Sequence, residues 1–539
     1  MSMSVETKIS NFYELHKSSG LYDDSFENTI FKLTNAYDYS FLELFRKARM
    51  GHPAQKLEDY EDFDRLRHAY RACIKFINED CKHGDFKKTI NLSDIKKYQN
   101  EMKETIQFNY IRNIVDRYRL KRFTAFESGD TLVFEHVPSD RSIIYDEYQR
   151  NIASTIPGSK NAKDNINTFD FSLKILQIAK NKPEFQSKKI YKPAKHIILE
   201  LINELIPYYL NDLDVEISYL KGKDYYLAEY LLVYCYLVAI GVYKTAYLIS
   251  LRFDNEQVYQ PSIIYPKERL VLDIIETIGM PENTVRKVIS DLIYDYSFHK
   301  DRLTIYQPLF EIGDCILCST NMLFHSYVID KVMKYFDVRG TNKKDLSLYH
   351  RYRADVMNHR MADNLPLMYP NLKTYENCIL KLNGLRKSEI DLIVFDDITK
   401  TAALIELKNY TPVDNEDDLI NKENKINEAI NSRLVKDKLV VENIDTFLKQ
   451  NNIPSKYSNY NYYSLLVTNS SIGGVGIKES IKVVDEPLFY NLLSIYQGSL
   501  LATIDGIDNS EFFKILASSI KLNNVKYEYK GFNVEIIYK

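Results

Sequence analysis

SEIDLIVFDDITKTAALIELKNY, residues 388–410, is the stretch from which the fold can be read. Glu389 to Phe395 is a short apolar run rich in β-branched residues, Asp396-Asp397-Ile398-Thr399-Lys400 is a polar turn, and Thr401 to Leu407 has strand character again. The pattern predicts a β-hairpin. Three charged side chains interrupt it: Asp391 in the first strand, Glu406 and Lys408 in the second. Side chains alternate along a strand, so Glu406 and Lys408 share one face, with Ile405 and Leu407 on the other. Pairing about the turn brings Asp391 near Glu406. Two acids and one lysine then gather at the strand ends.

Such a patch has a specific chemical use. Two carboxylates supply hard oxygen ligands for a cation such as Mg²⁺ or Mn²⁺, which keeps several of its waters. The bound ion lowers the pKa of a water and neutralises charge on a phosphate. Lys408 orients the attacking water or stabilises the transition state. The competing reading is a hairpin whose charges sit at solvated strand ends, because a Glu-x-Lys triplet by itself is common by chance. An acid in one apolar strand, a turn, and Glu-x-Lys closing the next is a much rarer combination.

The segment resembles the core of the PD-(D/E)XK, restriction-endonuclease-like, nuclease superfamily. The resemblance covers about Asp345 to Leu493 and implies that Asp391 and Glu406 bind the metal, that the Leu407 carbonyl completes its shell, and that Lys408 assists hydrolysis. The sequence departs from the pattern at three places. Ile390, not proline, precedes Asp391. The helix expected over Leu346 to Leu365 offers only Asp355 or Asp363 where many members carry a glutamate, and Glu376 lies nearer the strand. The helix expected over Lys425 to Leu448 carries Asn431, Arg433 and Lys436 where many members have a glutamine.

Composition frames these readings. At 539 residues the chain has room for two to four domains. Its 45% hydrophobic and 27% charged residues are those of an ordinary globular protein. A formal net charge of -3 excludes a globally basic nucleic-acid binder, so any such surface must be local. Six scattered cysteines do not make a disulfide framework, and Cys315-Ile-Leu-Cys318, a lone pair inside an apolar run, reads as core packing. The N-terminus lacks an apolar signal core. The uncharged stretch Tyr230 to Tyr243 is shorter than the roughly 20 residues a membrane span needs, which makes it a buried helix. These features predict a cytoplasmic protein with no membrane partner.

Upstream of the hairpin the pattern is mostly helical. The basic cluster Arg112 to Arg122 reads either as a phosphate-contacting surface or as cations favoured at a helix C-terminus. Leu270 to Asp295 has the form helix, turn, helix, in which Asn283, Thr284, Arg286 and Lys287 would face DNA; a plain helical hairpin is the alternative. Polar segments at 158–165 and 338–344 mark boundaries. The expected domains are 1–160, helical; 161–340, helical with a possible helix-turn-helix; and 341–539, nuclease-like, closed by a strand pair near its end. The fold class is therefore α+β overall: a largely helical N-terminal region, then a C-terminal α/β domain with a mixed central sheet. The resemblance implies a Mg²⁺-dependent nuclease acting on nucleic acid, DNA in the first instance, of the kind found in anti-phage defence. The alternatives are an inactive module that binds nucleic acid or protein, and a helical scaffold. The N-terminal region would serve a protein partner or homo-oligomerisation.

Overall fold

The computed structural model describes residues 4–17, 24–49, 58–119, 121–137, 177–178, 195–210, 224–250, 260–295, 307–324, 343–410, 416–469, 481–508 and 524–538. The polar segments 158–165 and 338–342, the strand expected at 303–306, the loop 411–415 and the glycine-rich turn 471–476 lie outside them. So do most of the helix-like runs at 171–179 and 324–335. The protein is a mixed α and β chain with mixed sheets. It divides into two compact units. One comprises Met1–Glu135, Thr168–Leu346 and Asn524–Ile537; the other comprises His136–Asn167, Ser347–Asn523 and Tyr538–Lys539.

The first unit opens with helices α1 (Val5–Lys17), α2 (Phe26–Arg49), α3 (Glu58–Asp80) and α4 (Leu92–Arg119), followed by strands β1 (Phe123–Ser128) and β2 (Thr131–His136). Then come α5 (Lys195–Leu210), α6 (Leu227–Ser250), β3 (Ile263–Pro266), α7 (Lys267–Ile278), α8 (Glu282–Leu292), β4 (Leu309–Ile312), β5 (Cys315–Cys318) and α9 (Thr320–Phe324). Buried side chains from α2, α3 and α4, such as Ile30, Tyr70, Ile74 and Met102, form one core with Phe310 and Leu317. Asp38 of α2, itself buried, holds the start of α9: its carboxylate accepts from Ser319 Oγ at 2.6 Å and from the Thr320 and Asn321 amides. Leu227–Leu248 is long and apolar enough to cross a membrane, but 83% of its most apolar window is buried inside the fold, as expected of a core helix. Gly241 permits its close contact with α9, since a Cβ there would lie 2.8 Å from Thr320 Cγ2. The C-x-x-C pair forms β5, with Cys318 buried and both thiols free, in the sheet β3-β5-β4.

The helix-turn-helix stretch is α7 and α8, joined through Gly279 at φ 71, the left-handed conformation a glycine adopts readily. Two of the four side chains that would read bases are engaged in ion pairs. Arg286 bridges Glu282 and Glu268, and Lys287 Nζ lies 2.6 Å from Asp224.

The second unit begins with α10 (Lys343–Met368) and continues with β6 (Leu372–Leu382), β7 (Leu385–Asp396) and β8 (Thr401–Lys408). Next are α11 (Glu416–Glu442), α12 (Ile444–Gln450), β9 (Asn461–Thr468), β10 (Lys482–Asp485), α13 (Glu486–Ile495) and α14 (Leu500–Asp508). Its five strands lie in the order β10-β9-β8-β7-β6; β6, β7 and β8 pair antiparallel, and β8, β9 and β10 parallel. One face buries Leu392, Val394, Ile405 and Leu407 against α10, α13 and α14. The other buries Ile393, Phe395, Ala402 and Leu404 against α12 and Val440 of α11. The expected hairpin is β7–β8. Its turn is fastened by buried Asp396, which accepts from the Ile398 amide at 2.9 Å and from the Leu500 amide at 3.0 Å. A third strand, β6, joins β7 through Asn383 (φ 52) and Gly384 (φ 74), a two-residue turn of the kind that favours tight hairpins.

The expected domain boundaries are corrected at two points. The regions 1–160 and 161–340 do not separate: their described residues other than His136 and Val137 cluster in one unit, in which α2 packs on both α6 and α9. The domain expected over 341–539 also does not run to the C-terminus. Strands β11 (Val525–Tyr529) and β12 (Phe532–Ile537) leave it, β12 pairing parallel with β2 in the sheet β1-β2-β12-β11. Unpaired strand edges bond to whatever partner completes them, and sequence distance places no bar on that.

Candidate active site

Pairing between β7 and β8 runs from Asp396↔Thr401 to Leu392↔Ile405 and stops there. One residue further, the Asp391 side chain takes the place of the ladder: Leu407 N donates to Asp391 Oδ2 at 2.8 Å. A residue in an antiparallel ladder directs its N–H and C=O to the same side, so the Leu407 carbonyl faces the same strand edge. Across β7 the strand β6 is irregular at the same level. Asn377 has φ 50 and no partner in the register, although Glu376↔Leu392 and Cys378↔Ile390 flank it. Asn358 of α10 ties the irregularity down, its amide donating to the Asp391 carbonyl at 2.8 Å and to Asn377 Oδ1 at 3.1 Å. Asn358 is 3% exposed. It was not among the residues singled out in the sequence; its place between Met357 and Met361, both facing the sheet, is the signal that marks it.

Glu406 and Lys408 lie on one face of β8, with Ile405 and Leu407 in the core of the other. Lys408 Nζ is 2.7 Å from Glu406 Oε1. Glu406 Oε2 is held by a residue of α11: Arg433 Nη1 lies 2.8 Å away and also donates to the Glu389 carbonyl at 3.2 Å. Arg433 is only 1% exposed, and its Nε lies 2.8 Å from Asp437 Oδ1, one helical turn on. Of the three residues weighed on this helix, Arg433 reaches the site, Asn431 is exposed, and the Lys436 charge is felt at Glu406.

The electrostatics separate the two acids. Burial, and then the neighbouring Glu406 charge, push Asp391 up to about 6. Burial also works to raise Glu406, but Lys408 and Arg433 outweigh it and hold that carboxyl below the usual glutamate range. The signs give a pH dependence. Between the ordinary aspartate value and about 6, the folded chain binds more proton at Asp391 than the unfolded chain, so this group's contribution to stability falls as pH rises through that window. Asp391→Asn is therefore expected to raise the melting temperature at neutral pH, with the gain shrinking toward about pH 4. A melting temperature that is lower than wild type at neutral pH would contradict this.

The other acids do not join Asp391. Asp363 is exposed, and Glu376 lies 2.6 Å from His359 Nδ1, its cross-strand partner Leu392 facing α10. Arg360 of α10 is bonded to Glu486. The side chains of His350, Arg351 and Arg353 lie outside the described residues. Among the described residues no three His, Cys, Asp or Glu side chains group as a metal cage. The donor set is two carboxylates and a strand carbonyl, which suits a hard cation that retains several waters rather than a fully protein-caged one. Searched against family models, curated proteins and solved structures, the chain finds no match in any of the three.

Proposed function

We propose that the second unit is a restriction-endonuclease-like domain and that the protein is a divalent-metal-dependent nuclease cutting DNA. The observation that carries the reading is the junction at the end of β7 and β8, where Asp391 caps the Leu407 amide beside a Glu406–Lys408 pair. A strand sequence has no packing reason to gather two acids and a lysine around one backbone amide; a phosphodiester site does. Asp391, Glu406 and the Leu407 carbonyl would hold Mg²⁺ or Mn²⁺. The ion supplies a water of lowered pKa and charge to offset that of the phosphate. Lys408 would orient an attacking water and stabilise the developing charge. Arg433 fixes the Glu406 carboxylate and thereby the lysine beside it.

The test is nicking of supercoiled plasmid with Mg²⁺ or Mn²⁺, comparing wild type with Asp391→Ala, Glu406→Ala and Lys408→Ala. Loss of nicking in all three is expected, and nicking that survives all three removes this site from consideration. One observation favours a second reading, an inactive module that binds nucleic acid or protein. Both oxygens of Glu406 already have cationic partners, so a metal competes with Lys408 and Arg433 for that carboxylate. DNA binding without nicking under any divalent metal would establish that alternative.

Metal binding has its own readout. A ligand held only by the folded chain stabilises it by about 2.7 kcal/mol at 100 times its dissociation constant. Mg²⁺ or Mn²⁺ is expected to raise the melting temperature of wild type and not of Glu406→Gln. The rise should grow with pH through about 6, as Asp391 loses its proton. Equal shifts in wild type and variant would place the ion elsewhere.

A further inference from the structure

Glu406 carries a cation on each oxygen, and the two are held very differently. Arg433 is 1% exposed and fixed at three points: Nη1 lies 2.8 Å from Glu406 Oε2 and donates to the Glu389 carbonyl at 3.2 Å, and Nε lies 2.8 Å from Asp437 Oδ1. Withdrawing it would strand the buried Asp437. Lys408 is the last residue of β8 and its side chain is 33% exposed, so its ammonium can leave Glu406 Oε1, now at 2.7 Å, for water. A partly exposed lysine pair on a flexible four-carbon stem holds weakly.

A dication arriving beside Asp391 therefore meets a Glu406 shielded on both sides, and Lys408 is the shield that can be withdrawn. A backbone phosphate brought to this end of β8 offers the ammonium a second anion. Lysine binds phosphate as a point charge, with no fixed geometry to satisfy. Like charges at close range oppose each other, so Glu406 accepts a metal more readily once the ammonium has turned outward.

Resting on the nuclease reading of this site, we propose that Lys408 is its removable counter-ion: in the free chain it occupies Glu406 Oε1, and a backbone phosphate of nucleic acid draws it away and opens that oxygen to the metal. Arg433 stays on Oε2 throughout. Nucleic acid and divalent ion then each raise the other's affinity, because such coupling is reciprocal. The free chain holds the ion weakly, which keeps the site idle until a phosphate is in place.

Calorimetric titration of the full chain with Mn²⁺, without nucleic acid, tests the first half. Lys408→Met is expected to bind Mn²⁺ about tenfold more tightly than wild type while nicking plasmid more slowly, a split that a lysine acting on the water alone would not produce. Lys436→Met controls for charge: Lys436 is felt at Glu406 through its charge, and its loss should tighten Mn²⁺ by about twofold at most. The second half is read in EDTA, so that hydrolysis does not intervene. Glu406→Gln should tighten binding of a fluorescent DNA duplex about fivefold when Lys408 is present, and about twofold at most in the Lys408→Met background. Mn²⁺ affinity in Lys408→Met no tighter than wild type, or matched by Lys436→Met, overturns the proposal. So does a Glu406→Gln effect on duplex binding that is the same in both backgrounds. Failure here is distinct from failure of the nuclease reading: nicking that survives loss of Asp391, Glu406 and Lys408 removes that reading, whereas nicking lost with them and unaltered Mn²⁺ affinity in Lys408→Met removes only the counter-ion role.

Discussion

Glu406→Gln is expected to lower Mg²⁺-dependent nicking by roughly 10³-fold or more, equivalent to about 4 kcal/mol of transition-state stabilisation. The substitution keeps the shape of the side chain and removes its charge. A metal would lose one of two carboxylate ligands, and Lys408, now 2.7 Å from Glu406 Oε1, would lose the anion that positions it. Asp391→Asn is expected to act in the same direction, with the added loss of the charged acceptor for the Leu407 amide. Lys408→Ala should cost less, because it leaves the ligands in place. Rates are to be compared at saturating metal, so that weakened binding is not read as weakened chemistry. Nicking by Glu406→Gln within a few-fold of wild type would exclude Glu406 from the reaction.

The largest structural effect is expected at Arg433. This arginine is 1% exposed, and it faces two acids, Glu406 at 2.8 Å and Asp437 at 2.8 Å. Asp437 is itself 3% exposed, and burial raises its pKa despite the arginine. Removing one member of a buried ion pair strands the others and costs about 3–5 kcal/mol. Arg433→Ala should therefore lower the melting temperature of the second unit by roughly 10 °C. The double variant Arg433→Ala, Asp437→Ala should recover part of the loss, since it strands one carboxylate fewer. Mg²⁺ should stabilise Arg433→Ala more than wild type, as the ion would then balance Glu406 without competing with a guanidinium. A loss below about 1 kcal/mol would mean that the network is solvated and contributes no more than a surface pair.

How far the sequence reveals this arrangement depends on how local each feature is. The β7–β8 hairpin is legible because an apolar run, a polar turn and a second run are contiguous, and Glu406 and Lys408 share a face as strand alternation requires. Strand β6 is harder to see. The left-handed Asn377 interrupts its alternation, so LKTYENCILKL shows no clean period of two, although Asn383-Gly384 is a hairpin signal in plain view. Arg433 stood out only as a departure from an expected glutamine; that an arginine is the largest fully buried side chain among the described residues follows from its two acid partners, which the linear order does not disclose. Asn358 is likewise recognisable only once α10 lies over Asp391. The closing strand pair is legible, but the pairing of β12 with β2 could not be read, because it joins segments roughly 400 residues apart.

That last pairing governs the order of assembly. Strand β12 supplies the parallel neighbour of β2 from a point roughly 400 residues downstream. During synthesis the nascent chain carries β2 with one edge bare until Phe532–Ile537 clear the ribosome, whereas the second unit already has every strand of its own sheet. Collapse of that inserted unit shortens the loop that must close, and closure cost depends on the length left flexible. Deleting residues 525–537 should therefore cripple the sheet that holds β2 and leave the hairpin intact, the reverse of what proximity along the chain suggests.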